Sequence, residues 1–263
     1  MDSASDEQGT GDAMNAVLEQ LRVKIFADGA DRHAIAELAT NPIVSGFTTN
    51  PTLMRAAGVD DYEAFARDIV ELVPELPISL EVFSDVFDEM EEQARTISQW
   101  GENVFVKIPV TNTRGESSAE VVRHLVAEGV RLNVTALTTV QQVEEIAAAL
   151  RGCTAGFVSV FAGRIADTGL DPSPIMAEAV EVLSAQAQLQ LIWASPREVL
   201  NILHAEAVGC HVITVTQQLL AKLPWLGRDL DGVSLDTVRM FHDDARAANY
   251  SLAAPTLSSG SNT

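Results

Sequence analysis

The chain has 263 residues, enough for one sizeable core, and 47% of them are hydrophobic, which excludes a disordered protein. A formal net charge of −20 argues against nucleic acid and acidic membrane surfaces as partners, and no apolar run is long enough to span a bilayer. The opening MDSASDEQGTGDAMN is acidic and lacks a basic leader region, and Cys153 and Cys210 lack metal-ligand spacing. The expected setting is therefore cytoplasmic, with both thiols reduced and no metal bound.

Strand-like runs alternate with helix-like runs along the chain. Residues 1–15 read as a disordered acidic segment, residues 16–250 as a single domain, and residues 251–263 as a flexible tail. Strands are predicted at Val23–Ala27, Val44–Phe47, Ile78–Phe83, Val104–Val110, Arg131–Leu137, Gly156–Phe161, Leu189–Ala194 and His211–Val215. Amphipathic helices fall between them, at Asp31–Ala39, Asp61–Leu72, Asp85–Gln99, Ser117–Glu128, Thr139–Leu150, Pro172–Ser184 and Pro196–Ala207. Many open on Asp, Ser, Thr or Pro, as helix starts do. Ser234–Ala248 reads as an extra C-terminal helix. Eight strands alternating with helices predict an α/β fold, a (β/α)8 TIM barrel; an open doubly wound sheet lacks its Gly-rich turn after the first strand.

Lys107 interrupts the apolar strand Val104-Phe105-Val106-Lys107-Ile108-Pro109-Val110, in a chain with only three lysines, Lys24, Lys107 and Lys222. A charge buried there is costly, whereas a buried lysine of lowered pKa suits Schiff-base formation with a carbonyl. The ordinary alternative is a lysine that snorkels to solvent or pairs with a carboxylate. In a barrel of this type, functional groups gather at the C-terminal ends of the strands. Those ends carry Asp28, Asn50, Glu81, Lys107, Asn133, Thr135, Ser159, Arg164, Ser195 and Arg197. Singly, Asp28 or Ser195 would serve as a helix cap and Asn50 as a turn residue. Together they suit reversible carbon–carbon cleavage: an amine forms an iminium, a carboxylate takes the β-hydroxyl proton, and a second carboxylate with a hydroxyl holds a water. Ser195, Arg197 and Arg164 offer donors to a phosphate, aided by a helix start after Ser195. Alternatively, one arginine pairs with a local carboxylate such as Asp167 or Glu198.

The segment Gly46-Phe47-Thr48-Thr49-Asn50-Pro51-Thr52-Leu53-Met54 resembles the first signature of transaldolases, and Val106-Lys107-Ile108-Pro109 resembles their Schiff-base strand. Leu132–Thr135, Val158–Ile165 and Ala194–Arg197 look like three further blocks of that family in the right order. The resemblance implies a cofactor-free class I transferase moving a dihydroxyacetone unit between sugar phosphates. By position it implies Lys107 as the Schiff-base lysine and Asp28 as the acid/base. Glu81 and Thr135 would hold the catalytic water, Asn50, Asn133 and Ser159 the dihydroxyacetone hydroxyls, and Arg164, Ser195 and Arg197 the phosphate. Glu81 and Phe161 stand where the related fructose-6-phosphate aldolases usually carry Gln and Tyr, which favours the transferase. Departures from the family pattern are Val160, Pro196 and a turn at Thr111–Gly115 about one residue longer. A lyase-type aldolase, a pathway-specific enzyme making a long-chain sugar phosphate, and a sugar-phosphate binder without turnover stay open. So does a homo-oligomer.

Overall fold

In the computed structural model, which describes residues 17–18 and 20–252, the eight apolar runs close on themselves. The strands are β1 (Lys24–Asp28), β2 (Val44–Thr48), β3 (Ile78–Glu81), β4 (Val104–Pro109), β5 (Leu132–Leu137), β6 (Gly156–Val160), β7 (Leu189–Trp193) and β8 (Val212–Thr216). All pairs are parallel, and β8 returns to β1, so the sheet is a closed barrel with no free edge. The strands are almost continuously apolar because one face meets the helices and the other fills the barrel.

Helices α1 (Arg32–Leu38), α2 (Pro51–Ala56), α3 (Tyr62–Leu72), α4 (Phe87–Ser98), α5 (Ala119–Ala127), α6 (Val140–Ala149), α7 (Ala162–Asp167), α8 (Ser173–Leu183), α9 (Leu200–Ala207) and α10 (Gln217–Leu220) follow the strands. Asp31, Asn50, Asp61 and Thr139 cap α1, α2, α3 and α6 with a side-chain oxygen, and Thr139 forms a full capping box with Gln142. The helices bury faces such as Ile69 and Val70 of α3 and Val143 and Ile146 of α6. Helices α2, α7 and α10 were not among the predicted elements; at six, six and four residues they are too short to show a helical period.

Two compact units are distinguished along the chain. The barrel lies within Ala16–Leu223; the other unit, among the described residues, runs from Pro224 and holds α11 (Leu230–Ala247). The α11 helix starts four residues before its predicted position, because Asp229 accepts from the Gly232 amide at 2.8 Å and supplies the cap. The acidic segment 1–15 and, beyond Leu252, the tail lie outside the described residues. Both cysteines are free, and burial pushes the Cys210 thiol up to about 12. No described helix is long and apolar enough to cross a membrane.

Inside the barrel, an aromatic layer forms a floor. Phe105 and Phe157 lie 4.5 Å apart between ring centroids, and Phe26 meets Phe157 edge-on at 5.5 Å. Each stands two residues before a polar residue on its own strand: Phe26 before Asp28, Phe105 before Lys107, Phe157 before Ser159. With a period of two, each polar group faces inward one layer above its aromatic.

Candidate active site

The register of the barrel brings the polar groups to one level. Glu81 pairs with Lys107 across β3 and β4, and Lys107 pairs with Asn133 across β4 and β5. Lys107 is only 6% exposed, so it does not snorkel. Its Nζ lies 2.9 Å from Glu81 Oε2 and donates to the Thr49 carbonyl oxygen, also at 2.9 Å. The amine is thus paired with a carboxylate, as the ordinary reading of the strand allowed, but that carboxylate is itself one of the predicted site residues. The backbone carbonyl of Glu81 accepts from the Tyr62 hydroxyl at 2.7 Å. Burial and the nearby Glu81 charge push the Tyr62 hydroxyl well above its usual range, so it remains a donor.

Asp28 ends β1 inside the same chamber. Burial is the main influence on its carboxyl and pushes it above the ordinary carboxylate range; the Lys107 charge and a hydrogen bond from Thr48 act in the opposite direction. The helix cap after β1 is Asp31, so Asp28 is spared that task. Asn133 is fully buried; its Nδ2 donates to Ser79 Oγ at 2.9 Å, and its Oδ1 accepts from Ser159 Oγ at 2.7 Å. Thr135 is also buried, and its hydroxyl has no hydrogen-bond partner among the described residues. An orphaned hydroxyl in a polar chamber is a group ready to hold a water or a substrate oxygen. Asn50 spends its Oδ1 capping α2, on the Leu53 amide at 3.0 Å, which leaves its amide nitrogen for a ligand.

Around the rim, β6 and β7 carry the remaining candidates. Phe161 packs against the aromatic core and precedes α7, which bears Arg164 on an exposed position. Ser195 adopts a left-handed backbone, with φ of 62°. Gly163 approaches it so closely that a Cβ there would fall 1.5 Å from the Ser195 carbonyl oxygen. Only glycine permits this contact, which ties the start of α7 to the end of β7 and sets Arg164 and Arg197 on one side of the mouth. Arg197 is engaged by Asp167: Nε donates to Oδ1 at 2.9 Å, Nη2 donates to Oδ2, and Nη1 donates to Ser195 Oγ at 2.9 Å. This is the local pairing that the sequence left open. Arg164 forms no ion pair among the described residues.

The expected helix start after Ser195 is corrected. The helix begins at Leu200, and the Asn201 side chain already accepts from the Arg197 and Glu198 amides at 2.8 and 3.2 Å. Those two amides are consumed, so neither serves as a backbone donor toward a phosphate. The longer turn at Thr111–Gly115 is closed by a bridge between Thr111 and Ser117 and tied to Asp85, which accepts from the Thr113 amide and hydroxyl, both at 2.7 Å. Tyr62, Ser79 and Thr214 join the site although they were not singled out from the sequence; Thr48 figured there only within its signature, and Asp167 only as a local partner for an arginine. For Thr48, Ser79 and Thr214 the signal was a polar side chain at an inward position of an otherwise apolar strand.

The family model described as Transaldolase/Fructose-6-phosphate aldolase matches residues 25–254. The chain is 36% identical over 204 residues to a "Probable transaldolase" of Dehalococcoides mccartyi, covering 76% of this chain and 90% of that one. It is 35% identical over 202 residues to a "Probable transaldolase" of Streptococcus pyogenes serotype M1, with the same shares covered. Among solved structures, a "putative phosphonomutase" from Burkholderia cenocepacia J2315 superposes with a TM-score of 0.54 at 14% identity, covering 88% of this chain and 98% of that one, a likeness of fold alone.

Proposed function

Because the chain belongs to the transaldolase/fructose-6-phosphate aldolase family, we propose that it is a class I transaldolase. It transfers a dihydroxyacetone unit from a ketose phosphate, sedoheptulose 7-phosphate or fructose 6-phosphate, to an aldose phosphate. The observation that carries this reading is the buried Lys107 amine, 2.9 Å from the Glu81 carboxylate and in one chamber with Asp28.

The Lys107 amine, after passing a proton to Glu81, adds to the ketose carbonyl carbon. The carbinolamine then loses its hydroxyl as water, protonated through Glu81, and leaves an iminium on Nζ. Asp28 accepts the proton of the hydroxyl on C4; the C3–C4 bond breaks, its electron pair moves into the iminium, and an aldose phosphate departs. The remaining enamine attacks the acceptor aldehyde, and Asp28 returns the proton to the new hydroxyl. Water then re-enters between Glu81 and Thr135 and releases the product ketose. Asn50, Asn133 and Ser159 hold the dihydroxyacetone hydroxyls, and Phe161 closes one side of the chamber.

For the phosphate, Arg197 retains two of its five N–H donors beyond those taken by Asp167 and Ser195. Arg164 supplies the rest of the charge on a chain of net charge −20. No cofactor enters this scheme. Borohydride reduction in the presence of fructose 6-phosphate, followed by intact mass, tests the reading; a three-carbon adduct on Lys107 is expected. Absence of any adduct overturns it. Turnover of free dihydroxyacetone with glyceraldehyde 3-phosphate, at a rate matching transfer, would instead make the protein a lyase-type aldolase. A panel of aldose phosphates as acceptors separates a central-metabolic enzyme from one that builds a long-chain sugar phosphate.

A further inference from the structure

Three strands of the barrel wall meet around Asp28. On β2, Thr48 pairs directly with it; on β8, Thr214 lies opposite Phe26, two residues deeper on the same inward face. Both threonines are buried. Thr48 Oγ1 donates to Asp28 Oδ1 at 2.8 Å, and Thr214 Oγ1 is hydrogen-bonded to Thr48 Oγ1. Each hydroxyl carries one proton. The Thr48 proton is committed to Asp28, so Thr214 must be the donor between the two hydroxyls. Thr214 makes no other side-chain hydrogen bond among the described residues.

We propose that Thr214 is a positioning residue for Asp28: through Thr48 it orders a hydroxyl chain whose protons all point toward the carboxylate. This rests on the assignment of Asp28 as the group that accepts the C4 hydroxyl proton. The chain fixes Oδ1 and leaves Oδ2 to the substrate. Its direction also has a sense. Were the proton on Oδ1, the Thr48 proton would turn to Thr214, and the Thr214 proton would have no acceptor in the wall, so the chain keeps Oδ1 unprotonated and directs proton transfer to Oδ2. A proton on Oδ2 leaves the chain in place, but the bond from Thr48 is strongest when Oδ1 belongs to a carboxylate, and each donor in such a series strengthens the next. Asp28 needs that support. Desolvation and the Glu81 charge on β3 both disfavour its ionised form, and Lys107 on β4 and Thr48 on β2 counter this directly. Neither the signature around Thr48 nor the Schiff-base strand includes β8, so the residue completing the base lies on the strand farthest along the chain.

Thr214→Val removes the hydroxyl and keeps the shape; Thr214→Ser keeps the hydroxyl. In the valine variant kcat should fall about threefold to tenfold, the size of one lost hydrogen bond. The acid limb of the kcat/KM profile should move to higher pH, because the ionised Asp28 loses support. Borohydride trapping should retain wild-type yield, since carbonyl addition does not use this wall, and the serine variant should recover both rate and limb. Thr214→Ala is the second probe should valine disturb folding, with the same shift expected. An unmoved acid limb in the valine and alanine variants, or a serine variant as impaired as they are, overturns the role of Thr214 while leaving the Schiff-base reading intact. No trapped adduct in the wild-type protein overturns both.

Discussion

The floor-side chamber and the rim of this barrel are built by different means. In the chamber, Glu81, Lys107 and Asn133 stand level because consecutive strands pair in register, and the aromatic layer of Phe26, Phe105 and Phe157 closes the space beneath them. The ladder dictates those positions, and burial makes every polar atom there consequential. At the rim, Arg164 and Arg197 sit on a short helix and a loop, exposed, and their placement depends on the Gly163–Ser195 contact and on Asp167. Chemistry belongs where geometry cannot drift, and recognition of a highly charged group can be left where water screens it. Substitutions in the chamber should therefore act on the chemical step, and substitutions at the rim on binding.

The largest effect expected is from Lys107→Ala, which should abolish both turnover and borohydride-trapped adduct while the barrel still folds. Lys24→Ala and Lys222→Ala are the controls, and adduct mapped to either by peptide mass in the Lys107 variant would move the nucleophile out of the chamber. A step smaller is Asp28→Asn. It should preserve carbonyl addition but slow cleavage by about two to four decades, the usual worth of a general acid/base. The trapped species should then carry the whole ketose phosphate. A three-carbon adduct with near wild-type turnover would remove Asp28 from the mechanism.

The chamber was legible in the sequence because buried parallel strands advertise themselves: each is an apolar run, and a lysine or asparagine inside one has few structural excuses. All eight strands and the seven longer barrel helices lie where periodicity places them, within a few residues. The three short helices escaped because fewer than two turns carry no periodicity, although Asn50 followed by Pro51 is a start signal that could have marked α2. The rim was less legible. Asp167 and Arg197 are 30 residues apart, and it is the pairing of β6 with β7, continued by the Gly163 contact, that brings them together. Likewise the helix expected from Pro196 yields to Asn201, whose side chain satisfies two amides before the helix begins. Thr214 shows the intermediate case: its inward position follows from strand alternation, but its partner across the closure of the barrel does not.

A binding effect rather than a chemical one is expected of Arg197→Ala. Loss of charge-assisted donors to a phosphate should raise the KM for phosphorylated substrates about tenfold to a hundredfold, with kcat changed far less. The KM for free dihydroxyacetone should hardly move. Equal losses with phosphorylated and free substrates would mean that Arg197 serves the structure of the loop instead.

The smallest effect, and the one that most sharpens the contrast, is that of Asp167→Asn. Asp167 holds Arg197 through two hydrogen bonds, and the pairing keeps its own carboxyl below the usual range, so it is ionised whenever a phosphate approaches. Two consequences oppose each other. Asp167 positions the guanidinium, which favours binding, but it also places a negative charge beside an incoming dianion and occupies two donors. Both groups are solvent-accessible, and an exposed ion pair of this kind contributes little to stability. Asparagine retains an acceptor oxygen for Nε, so most of the positioning survives while the repulsion disappears. The KM for phosphorylated donors should accordingly fall by about twofold to fivefold, and the gain should shrink as ionic strength rises and screens the charge. A KM that rises instead would show that Arg197 is productive only when clamped by a full negative charge, and the rim would then be as geometrically exacting as the chamber.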